Sequence, residues 1–244
     1  MHRSAPRLTR IFACAAVPVM LVVAGCSSDS DSDSKKDSGS SSSSTAPSGS
    51  SGGAQQSAPT VAPAKFAKLP EPCKALTAKT VEELVPKVKN KAGTAGKSSD
   101  TSVRGGCSWN GLEDKGVKGS DYRWLDVSFL RYESDPGLGS GEKRATEAYA
   151  KEIAKTQATE GAKKVKTGAQ TVGDEATAIT YEIRKTGVDF KYASIVARTG
   201  NVVVTLGYNG AGYAGAAAPD TAELLKDAVK AAKEAATAVT TANK

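Results

Sequence analysis

The chemistry open to this chain is limited first by what it lacks. Of its 244 residues one is histidine, His2, and four are cysteines, at positions 14, 26, 73 and 107. His2 lies in an N-terminal stretch that reads as a leader, so the mature chain has no histidine. That excludes Ser-His-Asp and Cys-His catalysis, imidazole metal ligands and a histidine pH switch. Acid–base or nucleophilic work would have to rest on carboxylates or on a Ser/Lys pair. Asp174 and Glu175 are adjacent on an expected turn, where neighbouring side chains point apart, so they read as turn residues without a partner. Asp29, Asp31 and Asp33 imitate the start of a calcium loop. The imitation fails, since Ser34 stands where that loop needs Gly and Ser40 where it needs Glu. No metal and no cofactor are expected. Gly210-Ala211-Gly212-Tyr213-Ala214-Gly215 has the spacing of a dinucleotide-binding turn and follows a strand. The next helix starts only near Asp220 and no second βα unit follows, so residues 207–219 read as a mobile glycine- and tyrosine-rich loop. Tyr208, Asn209 and Tyr213 on that loop are the expected ligand contacts, because tyrosines on a flexible rim suit recognition more than catalysis.

Attachment is written more clearly than activity. Arg3, Arg7 and Arg10 precede an apolar run over residues 11–24, too short to span a bilayer and of signal-peptide length. Val23-Ala24-Gly25-Cys26 at its end resembles a bacterial lipobox, which implies diacylglyceryl transfer to the Cys26 thiol and cleavage before it. Two acyl chains are what stable anchoring takes. Loss of residues 1–25 removes three arginines and no acid, so the formal charge falls from +7 to +4. Residues 26–62 carry the lipidated cysteine and then a tether in which 15 of 36 residues are serine. Such a composition buries too little apolar surface to order itself. As a flexible coil it has a root-mean-square span of about 30–36 Å. The expected location is the extracytoplasmic face of a bacterial cell membrane, with the membrane itself as a partner through Cys26.

Residues 63–244 read as one ordered α+β domain: an antiparallel sheet of about five strands packed by about three helices. Apolar and polar residues alternate at Leu125, Val127 and Phe129, at Ile179, Tyr181 and Ile183, over residues 190–197, and at Val202, Val204, Leu206 and Tyr208. A further strand over residues 102–110 carries Cys107 and Trp109. Thr186-Gly187 and Gly200-Asn201 join the last three strands as hairpins. Thr80-Val81-Glu82-Glu83 has the form of a capping box and predicts a short helix after Cys73. A second helix is expected over residues 142–159. A third starts at Asp220 and buries Leu224, Leu225, Ala228, Val229 and Ala232. With Cys26 lipidated, Cys73 and Cys107 remain free in an oxidising compartment and are expected to pair. The basic residues form no cluster interleaved with aromatics, so nucleic acid is not an expected partner.

The order Pro72-Cys73-Lys74-Ala75-Leu76-Thr77, Gly106-Cys107-Ser108-Trp109, Val172-Gly173-Asp174-Glu175-Ala176 and a strand pair near residues 193–208 resembles the actinobacterial lipoproteins of domain-of-unknown-function family 3558. The resemblance implies the location and fold above and supports pairing of Cys73 with Cys107. It brings no activity and no catalytic residues. The expectation is therefore a non-enzymatic binding or sensing module for a small molecule, lipid or envelope partner. An envelope spacer and a histidine-independent hydrolase are the alternatives. A well-formed pocket favours the first, and convergent carboxylates or a Ser–Lys contact favour the hydrolase.

Overall fold

Alternation of apolar and polar side chains sets the five long strands where they are expected. A computed structural model describes residues 61–244. Cys26, the leader over residues 1–25 and all but the end of the tether lie outside the described residues. The elements run α1 (Ala78–Leu84), β1 (Thr94–Ala95), β2 (Arg104–Asp114), β3 (Ser120–Arg131), α2 (Gly141–Gln157), β4 (Lys163–Gln170), β5 (Glu175–Lys185), β6 (Val188–Thr199), β7 (Val202–Tyr213) and α3 (Thr221–Thr241). All strand pairs are antiparallel, in the order β1-β2-β3-β7-β6-β5-β4. The β5–β6 hairpin turns at Thr186 and Gly187, both with positive φ, as a two-residue turn matched to strand twist requires.

The sheet has seven strands, which corrects the expected five. β1 is only two residues long. β4, with the sequence Lys-Lys-Val-Lys-Thr-Gly-Ala-Gln, is exposed along nearly its whole length at the sheet edge, so it carries no apolar alternation to read. Lysines on an edge strand also discourage pairing with other chains.

One face of the sheet carries Trp109, Leu125, Val127, Phe129, Val204 and Leu206, all buried. Against it lie α1, through Val81 and Leu84, and α3, through Leu224, Ala228, Ala231, Ala232, Ala235 and Val239. The alanines let α3 approach closely, which is how a chain with few large apolar residues still closes a core. Leu225 and Val229 of α3, expected inside, are only half-buried. The opposite face carries Ile179, Val196 and Val203, covered by α2 through Ala145 with Ala148, Tyr149 and Ile153.

Caps fix the helix starts. The Asp220 carboxylate accepts from Ala222 N at 2.8 Å and Glu223 N at 3.0 Å, and these bonds hold its pKa below the usual value. Ser140 caps α2. α1 begins one turn earlier than its capping-box pattern implies. Thr77, not Thr80, is the cap and accepts from Thr80 N, while Glu234 of α3 accepts the Thr77 N–H. Tertiary contact supplies the reciprocal bond that Glu83 was expected to make.

Two anchors tie the N-terminal part down. Cys73 and Cys107 form a disulfide, joining the turn at Pro72–Lys74 to β2. Asn201, wholly buried at the β6–β7 turn, accepts from Phe66 N at 2.8 Å and donates to Phe66 O and Tyr132 O at 2.9 and 2.8 Å.

Candidate functional site

Directly paired residues of an antiparallel sheet share a face. Register therefore assembles a row on the α2 side: Asn110, Trp124, Asn209, Tyr192 and Tyr181, one from each strand from β2 to β5. The adjoining row is Ser108, Asp126, Gly207, Ser194 and Ile179. α2 covers only part of this face. Beyond its C-terminal end a cavity of about 220 Å³ opens, walled by Asp126, Tyr181, Tyr192, Ser194 and Asn209 from the sheet and by Lys155, Thr156 and Thr159 from α2 and the residues after it. A second cavity of about 220 Å³, between α2 and β3, shares Lys155 and Thr205 with the first.

The aromatic rings form one connected group. Tyr181 and Tyr192 stack with centroids 4.7 Å apart and planes within 5°. Phe190 lies 6.5 Å from Tyr192 and 6.0 Å from Tyr122, and Tyr213 closes the group edge-on to both Phe190 and Tyr122. Stacked rings with few rotamers make a rigid, largely apolar wall.

Asp126 is the charged group in that wall. Its Oδ1 accepts from Trp124 Nε1 at 3.0 Å, and its other oxygen, which is not fully buried, takes no hydrogen bond from the described residues. Burial pushes its carboxyl up to about 6, while the Trp124 N–H pulls the other way. Space for the carboxylate comes from Gly207 on the paired strand, where a methyl group would stand 2.6 Å from Oδ1. Across the cavity, the Lys155 ammonium is held by both oxygens of Glu152 at 3.2 Å.

Of the residues expected to bind ligand, Asn209 lines this cavity and Tyr213 belongs to the adjoining aromatic group. Tyr208 does not join them. It points to the opposite face, where it is buried, donates its hydroxyl to Leu84 O at 2.6 Å and has its pKa pushed up to about 12 by burial. The expected loop over residues 207–219 is strand as far as Tyr213, which corrects that reading. Alternation along β7 separates Tyr208 from Asn209 and Tyr213. The glycine run is explained by backbone approach: a methyl group at Gly212 would meet Ala216 O at 2.3 Å. Asp174 and Glu175 do have a partner, since both pair with Arg198 of β6 and Asp174 also accepts from Gly200 N. Among the described residues no group of three His, Cys, Asp or Glu could hold a metal, and no helix is long and apolar enough to cross a membrane.

Sequence reading missed Asp126, Tyr181 and Tyr192 as site residues. The signal was present as aromatic residues on the nominal solvent side: Tyr122 and Trp124 at alternate positions of β3, and Phe190 and Tyr192 at alternate positions of β6. A solvated face seldom needs four large rings.

A family model described as "Protein of unknown function (DUF3558)" matches residues 21–189, more than half of the chain. The chain belongs to this family. The matched DUF3558 region ends at the start of β6, so it includes Asp126, Trp124 and Tyr181 but stops short of Tyr192, Asn209 and α3. A crystal structure of LpqN, involved in cell envelope biogenesis of Mycobacterium tuberculosis, is similar to this chain at 18% identity, over 52% of this chain and 68% of that chain, with a TM-score of 0.30. No curated protein matches the chain.

Proposed function

We propose that this DUF3558 member is a lipid-anchored, extracytoplasmic binding module that takes a small molecule into the cavity beside α2. One observation carries the reading: a carboxylate with no cation partner is kept at the wall of an open, aromatic-lined cavity. A folded chain gains nothing from desolvating such a group, whereas a binding site uses it to select ligands. An envelope spacer would have no use for it. A hydrolase would need a second reacting group, and Lys155, the lysine lining the cavity, is engaged by Glu152. The location rests on the leader, the lipobox-like Val23-Ala24-Gly25-Cys26 and the serine-rich tether. The Cys73–Cys107 disulfide suits an oxidising compartment.

The test is native mass spectrometry of the full chain isolated from its own host's membranes. The expected result is a diacylglyceryl mass on Cys26 and a noncovalent adduct that Tyr192→Ala loses. A chain without added lipid would refute the anchoring, and a chain without adduct the binding role.

A further inference from the structure

Resting on that binding reading, we propose that the cavity beside α2 selects a primary ammonium group, seated against Asp126 with its carbon body along the Tyr181–Tyr192 wall. The sheet side of the cavity offers acceptors in the number such a group needs. A primary ammonium brings three N–H donors and one positive charge. Asp126 supplies the charge and an oxygen that takes no hydrogen bond from the described residues. The Asn209 amide oxygen and the Ser194 or Thr205 hydroxyl supply the other two acceptors.

Other ligand chemistries fit worse. A carboxylate or phosphate would face the Asp126 carboxylate at short range, where like charges repel. A neutral apolar ligand would strip water from the carboxylate and return no hydrogen bond. Within the chain, Lys155 of α2 could in principle take the position, but Glu152 holds its ammonium on the outer surface, where the Lys155 side chain is 74% exposed. The aromatic group already accepts a cation of the chain itself at its far rim, where the Lys185 ammonium lies 5.6 Å from the Phe190 centroid and 5.5 Å from that of Tyr192. Burial holds the Tyr181 phenol above its ordinary value. The charged side chains lining the cavity are Asp126 and Lys155, the latter paired with Glu152, and Lys185 donates to the Tyr192 hydroxyl at 2.9 Å.

The experiment uses full-length chain labelled with 15N-tryptophan in detergent and titrated with n-butylammonium, n-butanol and butyrate. Trp124 Nε1 bonds Asp126 and reports the cavity, while Trp109 Nε1 bonds Lys91 O on the other face and serves as control. n-Butylammonium should move the Trp124 indole resonance alone, with at least tenfold tighter binding than n-butanol and with butyrate weakest. Asp126→Asn should remove that preference, and Gly207→Ala, which crowds the carboxylate, should weaken it. Binding should fade as pH falls from 7.5 to 5. n-Butanol or butyrate binding as well as the amine, or an unchanged preference in Asp126→Asn, would overturn the ammonium assignment and leave the binding role standing. If n-butylammonium at about 100 mM, ample for a fragment of this size, leaves Trp124 unmoved, the assignment also falls. The host-derived adduct then decides the binding role separately.

Discussion

Replacing Asp126 by asparagine should make the domain more stable at neutral pH. The carboxyl of Asp126 stands at about 6 in the folded chain against an ordinary 3.8, and burial is the main cause. Each pH unit between two such values corresponds to about 1.36 kcal/mol, so the ionised carboxylate costs the fold about 3 kcal/mol once both states have lost the proton. The sign follows from proton counts. Between pH 4 and 6 the folded chain binds more proton at this site than the unfolded chain, so stability declines as pH rises. The favourable contribution of protonated Asp126 is complete below about pH 4 and gone above about pH 6. Asparagine keeps an oxygen for Trp124 Nε1 and carries no charge at any pH. Urea unfolding at pH 7.5 should therefore show the variant more stable by about 3 kcal/mol, or about 6–12 °C in Tm for a domain of this length. At pH 4.0 the gap should nearly vanish. A variant no more stable than wild type at pH 7.5, or a gap equal at the two pH values, would refute the claim that burial of an unpaired charge dominates this site.

Two further changes probe the anchors of the N-terminal part. Reducing Cys73–Cys107, which lie 34 residues apart, should lower stability by up to about 3.8 kcal/mol and Tm by about 8–15 °C, read from melts with and without reductant. Non-reducing peptide mapping should recover the two cysteines as one linked pair. Asn201→Ala strands the Phe66 N–H and the Tyr132 carbonyl and leaves Phe66 O with only the long bond from Arg131 Nη1 at 3.5 Å. It should cost about 3 kcal/mol, with hydrogen exchange at Phe66 rising by a larger factor than at Ile195.

What was legible in the sequence was local. The Asp220 cap needs only the next three residues, the Thr186-Gly187 turn only two, and alternation in β3 or β7 declares itself within a few positions. The Cys73–Cys107 pair was legible by elimination. β4 was not, because a strand exposed on both sides at a sheet edge has no periodic apolar signal. The start of α1 was missed because its cap is completed by Glu234, 157 residues away. The cavity was missed for a related reason. Trp124, Asn209, Tyr192 and Tyr181 become neighbours only through three strand registers, each fixed by packing rather than by nearby residues. Asn209 and Tyr213 were singled out for standing on a loop, yet they reach the site from a strand.

The position of β7 also orders events in time. β7 is the last strand made and lies at the centre of the sheet, between β3 and β6. Until residues 202–213 emerge, the chain holds two separate half-sheets, β1-β2-β3 and β6-β5-β4, each ending in an open edge. α3, which seals the main core, comes later still. Nearly the whole chain must therefore be present before the sheet can close, and pairing at such sequence distance is slow. A chain of this topology therefore completes its sheet and its main core in one late step, when the central strand and the helix after it are both present.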